Sequence, residues 1–263
     1  MSKRLIINAD DFGLCRAQNY GIVEAFEHGV VSSTSAIVTS PAIAHAAWLA
    51  ERFPELPVGL HFMLSWGKPL TPLTSLVNEQ GELNKGIWHK SEAGELDLAE
   101  ISGELASQYQ RFVAIFGKQP THIDSHHHVH MLPTIYPLVE AFAKAHGLPL
   151  RIDRGEIARH GLTVNHPQSC DRFDDRFYGA QLTQNSLLQL LDEANEQGAH
   201  SLEIMCHPSF IDLEMQGSSY CQPRLNELAI LTDPSLPALI AERGYRLASY
   251  REWQYPAHHQ VDR

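Results

Sequence analysis

Short apolar runs alternate with longer amphipathic segments along most of this chain. Buried strands are predicted where β-branched and other apolar residues run together, at residues 5–9, 31–39, 58–62, 121–125, 148–153, 201–206 and 245–249. Helices are predicted where apolar residues recur at helical spacing, at residues 16–28, 41–53, 96–116, 133–146, 184–197 and 234–243. Such strand–helix alternation indicates a mostly parallel sheet with right-handed crossovers.

The number of strand–helix units favours an α/β fold of the (β/α)-barrel type over an open doubly wound sheet. We expect a TIM-like barrel in which the regular strands can number fewer than eight. A single domain over residues 1–263 is expected, because α/β barrels of ~200–250 residues are commonly one domain. Residues 63–95 are rich in glycine, proline and polar residues and are predicted to form a loop excursion. A loop of this length is usually functional or mobile.

Composition and charge limit the classes of molecule that this protein can bind as a main partner. The net charge of −11 argues against nucleic acid or an anionic membrane as the main partner. No uninterrupted apolar run approaches the ~20 residues of a membrane span, and the first apolar run is too short for a signal peptide. The four cysteines form no C-x-x-C pair, which is typical of free thiols in a reducing compartment. A cytoplasmic location is expected; a homodimer is compatible with the sequence, although no pattern is diagnostic of one.

A dense histidine cluster is the most unusual feature of the chain. Five of its sixteen histidines fall within residues 122–130, together with Asp124. Imidazole is the commonest metal ligand, and a carboxylate adds a hard oxygen donor. The cluster therefore predicts a metal site, with a histidine-rich surface loop as the alternative. His126 lies nearest the predicted strand end and is the first candidate ligand; an extended chain and a helical turn would orient His128 and His130 differently.

Other chemically capable residues also follow predicted strands. Asp10 and Asp11 follow the first strand, His61 closes the third, and His207 follows a later one. Because active sites form where the carboxyl ends of parallel strands meet, we expect these side chains to converge with His126. Two adjacent carboxylates repel each other unless a cation or a donor intervenes. One aspartate could bind a metal and the other act as a base, or one could cap the following helix.

Five motifs resemble those of the YdjC-type carbohydrate deacetylases: NADDFG (8–13), GLHF (59–62), DSHHHVH (124–130), LRIDR (150–154) and EIMCHP (203–208). The resemblance runs over nearly the whole chain and is closest to the chitooligosaccharide deacetylases of that family. It implies a metal-dependent hydrolase that removes an N-acetyl group from small chitooligosaccharides. Chitobiose and chitotriose, arriving as 6-phosphates, would be the substrates, and acetate would be released.

The resemblance also implies roles for individual residues. His61, His126 and Asp11 would bind the metal, and Asp10 would be the general base, although the two aspartates could exchange roles. His207, as imidazolium, would protonate the leaving nitrogen. Mg²⁺ is the ion that the resemblance implies, whereas two histidines and a carboxylate suit Zn²⁺ at least as well.

Residues near these motifs are candidates for substrate contact: Arg151, Arg154, Trp66, His128 and His130. Arg151 and Arg154 end a predicted strand, where they could hold an aspartate ionised, grip a substrate phosphate or form surface ion pairs. Trp66 and Tyr178 lie in predicted loops and could stack on sugar rings or pack within the loops.

Two other functions fit the same residues. A metal-dependent phosphoester hydrolase would need a richer ligand set for two metals, using His128 and His130 as well. A non-catalytic sugar-binding regulator would bind the acetylated sugar without turning it over. The placement of aspartates and His207 at separate strand ends favours catalysis over both alternatives.

Overall fold

The computed structural model describes residues 2–254, in which seven strands form one sheet. The strands are β1 (Lys3–Phe12), β2 (Ser33–Ala36), β3 (Val58–Phe62), β4 (Ile123–Ser125), β5 (Arg172–Asp174), β6 (Ser201–Cys206) and β7 (Tyr245–Leu247). Every pairing is parallel, in the order β4-β3-β2-β1-β6-β5, and β7 pairs with the start of β1. This curled, barrel-like α/β sheet confirms the predicted fold class.

Helices connect the strands. They are α1 (Arg16–Glu27), α2 (Ile43–Arg52), α3 (Ile87–Ala93), α4 (Leu98–Phe116), α5 (Tyr136–His146), α6 (Arg154–Arg159), α7 (Gln184–Glu196), α8 (Leu213–Gln216), α9 (Gln222–Leu231), α10 (Leu236–Glu242) and α11 (Arg251–Gln254). A 3-10 helix at His126–Met131 follows β4 directly. Among the described residues, no helix combines the length and the apolar character needed to cross a membrane.

β1 is the central strand, and its sequence explains why. Leu5, Ile6 and Ile7 are all fully buried, as expected for a parallel strand that is covered on both faces. β1 pairs in unbroken register with β6, from Arg4 opposite Ser201 to Ala9 opposite Cys206. This register brings the residues that follow the two strands to the same edge of the sheet.

The predicted strand at 148–153 is wrong in its extent. Only one isolated bridge forms there, between Leu150 and Ile123 of β4. Pro149 has no N–H to donate, and the Leu150 N–H donates to the carbonyl of Gln168 outside any strand. A regular ladder therefore cannot develop along this segment.

Three regions contain more regular structure than the pattern predicts. The excursion at 63–95 includes α3, and residues 154–180, for which the pattern predicts no helix or strand, include α6 and β5. α9 was not predicted, because Arg224 and Glu227 lie on its buried face and interrupt the apolar periodicity. A helix that buries charge is missed by a reading based on apolar spacing alone.

Candidate active site

The carboxyl ends of the strands surround a cleft of about 980 Å³. Its lining includes the chemically capable residues of the strand ends and of α9: Asp10, Asp11, His61, His126, His207 and Arg224. The five residues expected to converge from the sequence therefore do lie together. Arg224 also lines the cleft and was not predicted.

An irregular end to β1 turns both aspartates into this cleft. The register between β1 and β2 shifts between Ala9 and Phe12, and Asp11 has a left-handed φ of +69°. Consecutive side chains of a regular strand point to opposite faces, so this irregularity is what allows Asp10 and Asp11 to line one cavity. Aspartate is among the residues that adopt the left-handed region at least cost.

Asp11, His61 and His126 form a group that could hold a metal ion. Their ligand atoms all lie within 4.8 Å of one another. Oδ1 of Asp11 is 2.9 Å from Nδ1 of His126 and 3.4 Å from Nε2 of His61. Two nitrogens and one carboxylate oxygen that leave further positions open are typical of catalytic rather than structural metal sites.

The orientation of His61 is set by Asp124. Nδ1 of His61 lies 2.8 Å from Oδ1 of Asp124, while Ser35 donates to the other oxygen at 2.7 Å. A carboxylate on one ring nitrogen fixes the tautomer and leaves the other nitrogen available to a metal. Burial alone would lower the pKa of His61, but the carboxylates of Asp124 and Asp10 raise it to about 10. Metal binding would therefore displace a proton from this ring.

Asp10 is held by a buried arginine. The guanidinium of Arg151 donates to both oxygens of Asp10 at 2.7 Å. It also lies 3.0 Å from Asp124 and 2.9 Å from Glu203, and its side chain is fully buried. Burial alone would raise the pKa of Asp10, but Arg151 brings it below its usual value. Tyr250 donates a further hydrogen bond to Glu203.

Asp11 is held by a second arginine, from α9. Arg224 donates to Oδ2 of Asp11 at 2.8 Å and to the side-chain oxygen of Gln18 at 3.0 Å. This contact occupies one oxygen of Asp11, while Oδ1 faces the two histidines. Burial opposes ionisation of Asp11, but His126 and Arg224 hold its pKa well below the usual value.

His207 follows β6 and is fixed through its backbone. Its N–H donates to the carboxylate of Glu227, a fully buried residue of α9. Nδ1 of the His207 ring is buried and has no hydrogen-bond partner among the described residues. Burial, assisted by the charge of Arg224, lowers the pKa of His207 to about 4. The resting ring therefore favours its neutral form, and it must gain a proton before it can act as the imidazolium expected from the sequence.

The histidine cluster follows neither of the two geometries considered from the sequence. His127 and His128 both have left-handed φ values, +54° and +56°, inside the 3-10 helix. His128 lines the cleft with Trp66. His130 instead is buried, and its ring contacts Ser125 and the carbonyl of Arg151.

Three of the candidate substrate-binding residues lie outside the cleft lining. Arg151 is fully buried among carboxylates, so it fits the alternative in which it holds an aspartate ionised. Arg154 bonds Ser169 and the carbonyl of Cys170, and borders a different groove. His130 is enclosed as described above. These three residues therefore do not lie where they could contact a molecule in the cleft directly.

Arg224, Glu203 and Glu227 were missed as site residues by the sequence analysis. Two of them have partners far away along the chain: Arg224 contacts Asp11 across 213 positions, and Glu203 contacts Arg151 across 52. The available signal was the charge inside apolar segments, such as Glu203 within the strand SLEIMC. Glutamate is rarely fully buried unless it is paired, so its place in a buried strand indicated a nearby cation.

Known proteins resemble this chain in sequence. The sequence model of the YdjC-like protein family matches residues 4–242. A chitooligosaccharide deacetylase of Yersinia pestis (strain Pestoides F) is 59% identical over 250 residues, which are 95% of this chain and 99% of the relative.

Solved structures are also similar. One from Enterococcus faecalis V583, described as a candidate cellobiose-phosphate cleavage protein, has a TM-score of 0.88 and 36% identity over 96% of this chain and 99% of that one. A family 4 carbohydrate esterase from Streptomyces lividans has a TM-score of 0.50 at 11% identity, over 94% and 92% of the two chains. The second likeness concerns the fold alone.

Proposed function

Because the chain belongs to the YdjC-like protein family, we propose that it removes the N-acetyl group from small chitooligosaccharides, such as chitobiose and chitotriose, and releases acetate. The observation that carries this proposal is the Asp11–His61–His126 group, with Asp10 and His207 in the same cleft. The name of the Yersinia relative supports the substrate class.

A divalent cation is assigned to Asp11, His61 and His126. The fit rests on the mutual distances of their ligand atoms and on the direction of Nε2 of His61, which faces Oδ1 of Asp11 at 3.4 Å. Mg²⁺ is the ion that the family resemblance implies, while two imidazole nitrogens suit Zn²⁺ better. When bound, such an ion would polarise the acetyl carbonyl and acidify the attacking water.

Asp10 is assigned as the base that takes a proton from that water. Arg151 fixes the carboxylate by a two-pronged contact, so its direction toward the cleft is set before substrate arrives. The same contact lowers the pKa of Asp10 and weakens it as a base. The chemistry therefore depends on a water that is more acidic than bulk water.

His207 is assigned as the group that passes a proton to the leaving nitrogen. Its ring is neutral at rest, so it takes up a proton from solvent in the cleft during turnover. The proton then moves from the imidazole to the nitrogen as the carbon–nitrogen bond breaks. Acetate and a free amine are the products.

Residues at the rim of the cleft are assigned to contact the substrate. Trp66, His128 and Lys85 line it, the first and last from the excursion at 63–95. The ammonium of Lys85 could pair with a 6-phosphate, which is the phosphorylated form expected for the substrate. Removal of that charge by Lys85→Met should then raise the KM of chitobiose 6-phosphate and leave that of chitobiose nearly unchanged.

Phosphoester hydrolysis with two metals has less support. A second group, Asp10, His61 and Asp124, shares His61 with the first. The guanidinium of Arg151 already lies 2.7 to 3.0 Å from both of those carboxylates. A second cation would have to displace a buried arginine.

The test is acetate release from chitobiose and its 6-phosphate by chelator-stripped protein, before and after addition of Mg²⁺ or Zn²⁺. We expect one of the ions to restore acetate release, and Asp10→Asn to abolish it while metal binding is kept. Folded protein that releases no acetate with any ion would overturn the assignment.

A further inference from the structure

Tyr178 presents an aromatic ring to the cleft. It lines the cleft and is 51% exposed. The ring stacks on Tyr220 with centroids 3.9 Å apart and an angle of 7° between the planes. One face of Tyr178 is therefore covered by Tyr220, and its remaining exposed surface adds an apolar area to the cleft lining.

The stacked pair is held in place by the site itself. Tyr220 donates from its hydroxyl to Glu227 at 2.7 Å and accepts the N–H of Gly179 at 2.8 Å. Glu227 also accepts the backbone N–H of His207. One buried carboxyl group, that of Glu227, thus fixes the aromatic pair and the assigned proton donor relative to each other.

The distances bring a ring on this surface close to the reacting groups. The His207 ring centroid is 5.7 Å from that of Tyr178 and 6.0 Å from that of Tyr220. A pyranose that packs its C–H face on an aromatic ring lies at van der Waals distance, ~4 Å. Its amide substituent would then be within reach of His207, while the lining residues Ser218 and Ser219 offer hydroxyl partners at the rim.

We propose that Tyr178, backed by Tyr220, is the subsite that binds the pyranose ring of the N-acetylhexosamine whose amide is cleaved. This inference rests on the proposed function and specifies which surface orients the reacting sugar. Binding sites for small molecules combine an apolar surface with a few placed polar groups, and the pair supplies the apolar part beside His207. Tyr220 is a positioning residue here, because it acts through Tyr178.

Binding is measured by calorimetric titration of chitobiose into metal-loaded protein carrying Asp10→Asn, so that no turnover occurs. We expect Tyr178→Ala to weaken binding about tenfold or more, and Tyr178→Phe, which keeps the ring, to retain most of the affinity. Tyr20→Ala removes a similarly exposed tyrosine on α1 and should change nothing. Metal content and thermal unfolding should be equal in all variants. In the Asp10-intact enzyme, KM should follow the same order.

The outcomes separate this inference from the proposed function. Acetate release with unchanged chitobiose affinity in Tyr178→Ala would overturn the subsite and leave the deacetylase standing. An equal loss in Tyr178→Phe and Tyr178→Ala would also overturn stacking, because the ring would not be the group that matters. Ring-dependent binding without acetate release under any ion would support the subsite while the deacetylase assignment fails. A wild-type protein that does not bind chitobiose would overturn the subsite.

Discussion

Replacement of Arg151 by methionine should destabilise the protein in a way that depends on pH. Arg151 is fully buried and contacts three carboxylates, those of Asp10, Asp124 and Glu203. Methionine fills a similar volume but carries no charge. The three carboxylates would remain buried without their shared cation, and such uncompensated burial costs ~3–5 kcal/mol.

The size of the effect can be worked from proton uptake. A buried carboxylate without a partner protonates, and for an aspartate with an ordinary pKa of 3.8 this costs about 4 kcal/mol at pH 7 and about 2 kcal/mol at pH 5. In the wild type, Arg151 holds the pKa of Asp10 below its usual value against burial, so the contribution of Asp10 is complete above pH 4 and is lost in stronger acid. In Arg151→Met the folded-state pKa lies above the unfolded one, so stability falls as the pH rises above 4.

Urea unfolding of chelator-treated protein at pH 5, 6 and 7 measures this difference. We expect Arg151→Met to lose at least 3 kcal/mol at pH 7, roughly the cost of a broken buried ion pair, and the loss to shrink toward pH 5. Arg154→Met is the matched control, because among the described residues that arginine donates to Ser169 and to the carbonyl of Cys170 and to no carboxylate. This substitution should cost about 1 kcal/mol at every pH. A loss in Arg151→Met that equals the control, or that is constant with pH, would refute the reasoning.

Three further predictions concern the site and the thiols. Asp124→Asn should weaken metal binding ~10–100-fold because His61 loses the partner that orients it; competition with a chromogenic chelator measures this, and unchanged affinity would contradict it. Burial raises the pKa of Glu227 to about 8, so the folded state binds a proton that the unfolded state lacks, and wild-type stability should decline from pH 6 to 8. Glu227→Gln should remove most of that decline, which is about 5 kcal/mol across the interval from 4.5 to 8 and roughly half of that between pH 6 and 8; parallel stability curves for the two proteins would count against it. Cys221 is the one partly exposed cysteine of the described chain, and the others are buried, so it should react first with a thiol reagent, with the rest reacting only in denaturant. Rapid labelling of all four cysteines in the native protein would show that Cys15, Cys170 and Cys206 are not buried.

Strand ends were the most predictable part of the molecule. β6 matches its predicted range, and β1 and β3 were placed because their apolar runs are continuous. The parallel alternation alone then implied that residues following these strands meet at one edge. This argument needed no knowledge of side-chain contacts, which is why it placed Asp10, His61 and His207 around one cleft.

Charge pairing inside the molecule was not predictable in the same way. Arg151 follows an apolar segment, so the sequence allowed it to point inward or outward. Its inward orientation depends on Asp10, which lies 141 positions away. Likewise, the buried face of α9 carries Arg224 and Glu227, which reach Asp11 and the backbone of His207 at the strand ends only in the folded chain. The spacing of apolar residues predicts which apolar side chains are buried. It does not indicate which charged side chains are buried beside a partner of opposite charge.

The position of α9 has a consequence for how this protein can diverge. Arg224 and Glu227, one turn apart, anchor the reactive groups to a helix, whereas much of the cleft rim is carried by the segment before it and by the excursion at 63–95. Insertions and deletions are tolerated best in such connecting segments. Evolution can therefore rebuild the rim for other sugars without rebuilding the catalytic machinery. Grafting a rim segment between family members, with α9 kept, is the corresponding engineering route to a changed substrate range.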